Sequence, residues 1–188
     1  MRRALTMLGL LIALAASAVI PSSVAQFSPN PFAPTYSAGE ERVSAAAPTD
    51  IFCVEGPTSG SGRILNVTVY LNLGTTGTSA IWIKRSTLNT GGTSFAATPA
   101  KRDSNISAAS TMTLRMYTVN PTSLGVEQGR LQRLPLQRIV GDFKAYAFDW
   151  ATLPIVLNGP NEALCLNGEG GALGATFIIV SIIVQQGN

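Results

Sequence analysis

The strongest constraint on the fold is a run of alternating apolar and polar residues between positions 63 and 73. Leucine or valine stands at every second position, namely Leu65, Val67, Val69, Leu71 and Leu73. A period of two places these side chains on one face of a β-strand and the Asn, Thr and Tyr between them on the other. The Gly/Thr stretch 74–78 predicts a hairpin loop, with residues 80–85 as the returning strand. The sequence therefore predicts an antiparallel sheet with one buried face, which a second layer must cover.

Other short apolar or alternating segments recur along the chain, separated by turn residues. They cover residues 51–54, 111–119, 131–140, 145–149, 153–157, 163–166 and 175–184. Pro135 confines its segment to a sheet edge or a bulge. The last segment is apolar on both faces, which predicts a central strand buried on both sides. Residues 87–110 predict a long polar loop, with a short helical turn at 105–110, of the kind that serves function or an interface.

The number and length of these segments set the fold class. Eight to ten short strands with no long helix predict an all-β protein: a two-layer antiparallel β-sandwich, jelly-roll-like. Apolar residues make up 46% of the 188 residues, which is enough for a core, whereas charged residues make up only 12%. That share is about half the usual one, and an uncharged polar surface suits β-proteins that pack into assemblies.

The first 25 residues have the three parts of a secretory signal peptide. Arg2 and Arg3 precede an apolar stretch, and Ser23-Val24-Ala25 offers small residues ahead of Gln26. An uncleaved membrane anchor is the alternative, although the apolar stretch is short for a span of about 20 residues. We therefore expect export with cleavage after Ala25, and contact with the membrane only in transit. Without the two arginines the formal charge falls from +3 to +1, and no basic face is evident, so nucleic acid is not an expected partner.

The remaining chain divides at residue 51. Residues 26–50 contain four prolines and predict an extended leader, and residues 51–188 form the β-sandwich domain. Aromatic residues of the leader make it a candidate docking arm, although a flexible leader is the simpler interpretation. The candidate partner contacts are Phe27, Phe32, Tyr36, Lys84, Arg85 and Trp150.

The residues that carry chemistry are sparse. Cys53 and Cys165 form an even pair in an exported chain and predict a disulfide, with two buried free thiols as the alternative. No histidine is present, which removes the usual general base and the commonest metal ligand. The acids are scattered, so a glycosidase carboxylate pair or a calcium site remains a minor alternative. We expect no cofactor, no metal site and no catalytic residue.

Several segments together resemble a group of small proteins encoded in tailed-phage and prophage structural gene regions. They are residues 48–56 (PTDIFCVEG), 83–94 (IKRSTLNTGGTS), 103–105 (DSN), 115–125 (RMYTVNPTSLG), 153–159 (LPIVLNG) and 164–167 (LCLN). The resemblance covers about residues 48–184. It implies a β-sandwich virion component, such as a decoration or tail-accessory subunit, rather than an enzyme.

Two functions follow from these observations. The first is a non-enzymatic structural or interaction protein that docks on protein partners, as a homo-oligomer or in a lattice, through its loops and N-terminal arm. The alternative is a secreted carbohydrate-binding or surface-adhesion module, in which Trp150 stacks on a glycan, whereas Trp82 is expected to pack within the sandwich. The expected location is outside the cytoplasm or, for a virion component, on the particle.

Overall fold

The computed structural model describes residues 33–43, 49–72, 79–135, 144–169 and 177–186. These residues form twelve β-strands joined by turns and loops. The strands are β1 (Thr35–Val43), β2 (Thr49–Glu55), β3 (Ser61–Asn72), β4 (Ser79–Arg85), β5 (Thr93–Ala97), β6 (Ala100–Lys101), β7 (Thr113–Val119), β8 (Glu127–Pro135), β9 (Lys144–Asp149), β10 (Ile155–Asn158), β11 (Ala163–Glu169) and β12 (Phe177–Gln186). Within the described ranges, no helix is long and apolar enough to cross a membrane.

The strands form two antiparallel sheets that pack face to face. Sheet I has the order β10-β3-β12-β1-β6, and β9 also pairs with β3, next to β10 along the same edge. Sheet II has the order β5-β7-β2-β11-β4-β8. The predicted two-layer antiparallel β-sandwich is confirmed, with twelve strands rather than eight to ten.

The strand order is that of a jelly roll. The chain alternates between the sheets from β1 to β4 and lies in sheet II through β8, apart from the two-residue strand β6, which joins sheet I. It then alternates again from β9–β10 through β11 to β12. The resulting four-strand layers are β1-β12-β3-β9/β10 and β2-β11-β4-β8, which correspond to the two four-stranded sheets of that fold.

A single insertion between β4 and β8 extends both sheets at the same edge. Its β7 pairs with β2 and its β5 pairs with β7 in sheet II, whereas its β6 pairs with β1 in sheet I. The prediction of a long loop at 87–110 was therefore wrong in part, because β5 and β6 lie inside it. The helical turn is replaced by a tight turn in which the Ile106 amide donates to the Asp103 carbonyl.

Alternation explains the core between the sheets. Sheet I supplies alternate residues of β3 and β12, and sheet II supplies those of β2, β4, β7 and β11. Trp82 is completely buried at the centre, where Phe52, Phe148 and Trp150 contact its ring edge to face at centroid distances of 5.2–5.6 Å.

The predicted hairpin at residues 63–85 is wrong. Its two strands, β3 and β4, lie in different sheets, because the jelly-roll chain crosses between layers at this point. A bulge also changes the predicted face: Ile183 pairs with Asn66 and Val184 with Ile64, which leaves Leu65 as the extra residue. Ile64 is consequently buried in the core while Leu65 is half-buried, and Leu73 lies outside the described residues.

The predicted boundary at residue 51 lies too late in the chain. Residues 35–43, assigned to the leader, form β1, which pairs along its whole length with β12. Tyr36 is only 2% exposed and belongs to the core, and its hydroxyl donates to the Ala108 carbonyl at 3.2 Å. The prolines at 34 and 48 flank this strand on either side instead of marking one continuous leader.

Two predictions about strand position can be compared with the observed strand order and burial. The strand that ends at Pro135, β8, forms an edge of sheet II, as predicted. The terminal strand β12 is central in sheet I, as predicted, but it is buried on one face only. Ile178, Val180 and Ile182 are in the core, while the opposite face, with Ser181 exposed, faces outwards.

Candidate docking surface

The outer face of sheet II carries a second, smaller apolar cluster. It consists of Cys53, Cys165, Ala163 and Tyr117, with Leu88 packed against it. Cys53 and Cys165 are directly opposite on β2 and β11 and are joined by a disulfide, which confirms the predicted pairing. Because a loop covers this part of the outer face, sheet II is buried on both sides here.

A β-bulge brings an acidic side chain into this outer layer. Leu166 pairs with Phe52 and Asn167 pairs with Asp50, so Ile51 is the extra residue of β2. A bulge of this kind re-aims the side chains beyond it. Asp50 therefore lies on the same side as the disulfide, where it is 0% exposed.

Four nitrogen–hydrogen groups donate to the buried Asp50 carboxylate. Arg85 binds it side-on, with Nε 2.6 Å from Oδ2 and Nη2 2.8 Å from Oδ1. The amides of Asn89 and Asn167 donate at 2.9 and 2.7 Å. We call Asp50, Arg85, Asn89 and Asn167 the Asp50 cluster. Since Arg85 is only 4% exposed, this is a buried ion pair with both carboxylate oxygens satisfied.

The Asp50 cluster fastens two loops, residues 86–92 and 120–126, to sheet II. Arg85 Nη1 donates to the Gly125 carbonyl at 2.6 Å, and the Gly125 amide donates to Asn89 Oδ1 at 2.7 Å. The loops also bond to each other: the Thr122 amide donates to the Thr90 carbonyl at 2.9 Å. A Cβ at Gly125 would lie 1.8 Å from the Thr87 carbonyl oxygen, so only glycine permits this approach.

Exposed apolar side chains are concentrated in and beside these fastened loops. Four of the seven large hydrophobic residues that the described part exposes lie between positions 119 and 131. They are Val119, Leu124, Val126 and Leu131, of which Val126 is 62% exposed. Arg130 and Arg133 of β8 lie in the same segment. We call these six residues the docking surface; they follow the chain from the end of β7, through loop 120–126, to the edge strand β8. Apolar and arginine side chains are both common in protein interfaces.

Ion pairs at the β8 end of the docking surface hold its arginines. Arg130 Nε lies 2.8 Å from Glu127 Oε1, and both Arg130 and Arg133 lie near Glu169, at 3.5 and 3.1 Å. Hydrogen bonding to Arg130 lowers the pKa of Glu127 and raises that of Arg130. These pairs are solvent-exposed, so they orient the side chains more than they stabilise the fold.

A second acidic group lies beside the disulfide layer. Glu55 accepts from Arg115 Nη2 at 3.0 Å, and this hydrogen bond raises the pKa of Arg115. Burial raises the pKa of the neighbouring Tyr117, and the charge of Glu55 raises it further, while Asn89 and Arg115 act in the opposite direction.

The pKa of Tyr117 predicts a loss of stability at alkaline pH. An unfolded tyrosine ionises near pH 10, whereas the folded Tyr117 keeps its proton to higher pH. The stability that the protonated Tyr117 contributes is therefore complete below about pH 10. It is lost as the pH rises further, because the unfolded chain then binds fewer protons than the folded one. We expect Tyr117→Phe to reduce the fall in unfolding free energy as the pH rises above about 10, measured by urea unfolding. The half-exposed Tyr70, replaced in the same way, is the control; equal pH profiles for both variants and the wild type would contradict the prediction.

The structure places the predicted partner contacts in different environments. Phe27 and Phe32 lie outside the described residues. Tyr36 and Arg85 are buried, which leaves neither side chain available to a partner in this structure. Lys84 forms an ion pair with Glu162 at 3.0 Å. Trp150 is half-buried, and its ring stacks on Phe148 with an interplanar angle of 23°.

One group of side chains has the composition of a metal site. The ligand atoms of Asp50, Cys53 and Cys165 lie within 4.8 Å of one another. The two sulfur atoms are bonded to each other, and the carboxylate already accepts four hydrogen bonds. The group is therefore a structural cluster with no thiolate to offer a cation.

Sequence reasoning did not find the Asp50 cluster. Three of its members share a local signal, since Asp50, Arg85 and Asn167 each stand at the end of an apolar strand segment. A polar residue in that position indicates the edge of a loop, and the bulge that places Asp50 on the disulfide side of sheet II leaves no mark in the alternation.

Comparisons with protein families, characterised proteins and solved structures find no match to this chain. The fold and the site geometry therefore carry the functional argument.

Proposed function

We propose that this chain is a non-enzymatic structural protein that docks on further copies of itself through the docking surface. The observation that carries the proposal is the concentration of exposed Val119, Leu124, Val126 and Leu131 on one segment. A single exposed apolar side chain is ordinary on a protein surface, whereas the recurrence of four along one segment suggests a contact site.

The support beneath these residues is equally important for the proposal. Binding costs less when the contact residues are already ordered, because less conformational entropy is lost. Here the Asp50 cluster, the disulfide and the paired loops 86–92 and 120–126 hold the docking surface on sheet II. A rigid loop surface of this kind suits repeated docking in an assembly.

A more specific form of the proposal is that the copies assemble into a lattice. The jelly roll occurs in viral capsid proteins and in lectins, so the fold is compatible with both a particle subunit and a glycan-binding module. The resemblance to phage structural-region proteins favours a decoration or tail-accessory role. The buried disulfide is compatible with an exported protein, which is the location that we propose.

Light scattering after size-exclusion chromatography tests the proposal. We expect the molar mass to rise above that of the 19.6 kDa chain as concentration increases. Leu131→Asp places a charge in the docking surface and should weaken association at least about tenfold. Leu153→Asp is the matched control, because Leu153 is also exposed and lies in the bend before β10, next to sheet I. A monomer at every attainable concentration, or equal weakening by both variants, would contradict the proposal.

A further inference from the structure

A groove lies on the outer face of sheet I, whereas the docking surface is associated with sheet II. Its volume is about 390 Å³, and Ser61, Arg63, Leu153, Pro154 and Val156 line it. This volume lies within the range of small-molecule sites, about 300–1,000 Å³. The groove is therefore large enough for one small ligand.

Strand pairing explains which residues form the floor of the groove. β10 and β3 are antiparallel, with Val156 opposite Arg63 and Leu157 opposite Gly62. Leu157 is buried in the core, so alternation places its neighbour Val156, together with Arg63, on the opposite, outer face. The bend at residues 151–153 contributes Leu153, which is 74% exposed, and the next residue, Pro154, also lines the groove.

Arg63 differs from the paired arginines of sheet II. Arg85, Arg115, Arg130 and Arg133 each form an ion pair with a carboxylate. Among the residues that the structure describes, Arg63 has no carboxylate partner. The half-buried Arg63 thus lines a groove whose other lining residues are mostly apolar.

We infer that this groove binds an aliphatic carboxylate, with the carboxylate on Arg63 and the hydrocarbon chain on Leu153, Pro154 and Val156. A guanidinium forms two parallel hydrogen bonds with a carboxylate, and such charge-assisted bonds are the strong ones. Ser61, two residues before Arg63 on β3, adds a hydroxyl to the lining. The apolar wall removes the hydrocarbon chain from water, and the volume fits a medium-length chain of about six to ten carbons.

Calorimetry with octanoate and the wild-type chain tests the inference. We expect a dissociation constant on the order of 1 mM, in keeping with a ligand of this size on an open groove. Octanol and octylammonium share the hydrocarbon chain but lack the carboxylate, so each should bind at least about tenfold more weakly. These three ligands need no variant, and equal binding of all three would overturn the inference.

Two variants locate the site. Arg63→Gln should weaken octanoate binding at least about tenfold, because the amide cannot form the charge-assisted pair. Arg102→Gln is the matched control: Arg102 is exposed in the loop after β6 and should leave binding unchanged. Unaltered affinity in Arg63→Gln would overturn the inference, as would a Leu-terminated peptide, acetyl-Ala-Leu, that bound more tightly than octanoate. Neither result bears on self-association, which uses the other sheet.

Discussion

Replacement of Asp50 by alanine is expected to lower the free energy of unfolding by about 3–5 kcal/mol. The carboxylate is fully buried, and its loss leaves the Arg85 guanidinium, 4% exposed, as an uncompensated buried charge. Asn89 and Asn167 lose their acceptor at the same time. Urea unfolding followed by tryptophan fluorescence measures the effect, because Trp82 lies in the core.

Variants of both ion-pair partners, Asp50 and Arg85, distinguish loss of the ion pair from nonspecific destabilisation of the fold. Arg85→Met should destabilise by a similar amount, and the double variant Asp50→Ala/Arg85→Met by less than the sum, since neither charge then remains buried alone. Glu127→Ala, which breaks the exposed pair with Arg130, should have little effect. Strict additivity of the two buried substitutions would show that the ion pair is not the source of the loss.

Removal of the disulfide is expected to lower the free energy of unfolding by about 4–5 kcal/mol in the chain-entropy model. Cys53 and Cys165 are 112 residues apart, so the bond closes a loop that covers most of the sandwich. Its loss frees the unfolded chain more than it alters the folded one, because the two positions stay paired through β2 and β11. The double variant Cys53→Ala/Cys165→Ala, unfolded in urea, measures the effect.

The same experiment has an internal check. The dependence of unfolding free energy on urea should become steeper in the double variant, because a chain without the cross-link exposes more surface when unfolded. Reductant should destabilise the wild type and leave the double variant unchanged. If midpoint and slope were the same with and without the bond, the entropic account would be wrong.

The local part of the fold could be predicted from the sequence, and the long-range part could not. Alternation located most strands, and Pro135 identified an edge strand, because both signals are properties of a few neighbouring residues. Which sheet a strand joins depends on contacts that are distant in sequence. The hairpin prediction failed for this reason: a turn at 74–78 is equally compatible with a return to the same sheet and a crossing to the other.

The Asp50 cluster shows a second limit of prediction from the sequence. Asp50 meets Arg85, Asn89 and Asn167 across 35, 39 and 117 residues of sequence. None of these separations forms a motif, and the bulge at Ile51 changes the face on which Asp50 lies. The cysteines were easier to pair because only one pairing is possible for two cysteines in the chain.

The insertion between β4 and β8 has a mechanical consequence. One continuous stretch of chain is hydrogen-bonded into sheet I through β6 and into sheet II through β7. Beyond these strands, the Arg102 amide donates to the Thr35 carbonyl, and Gln186 Nε2 donates to Thr111 Oγ1. A large displacement of one sheet along the other is therefore opposed by main-chain hydrogen bonds at both ends of this stretch. Under load, we expect this edge of the sandwich to resist shear between the two sheets through covalent continuity as well as through side-chain packing.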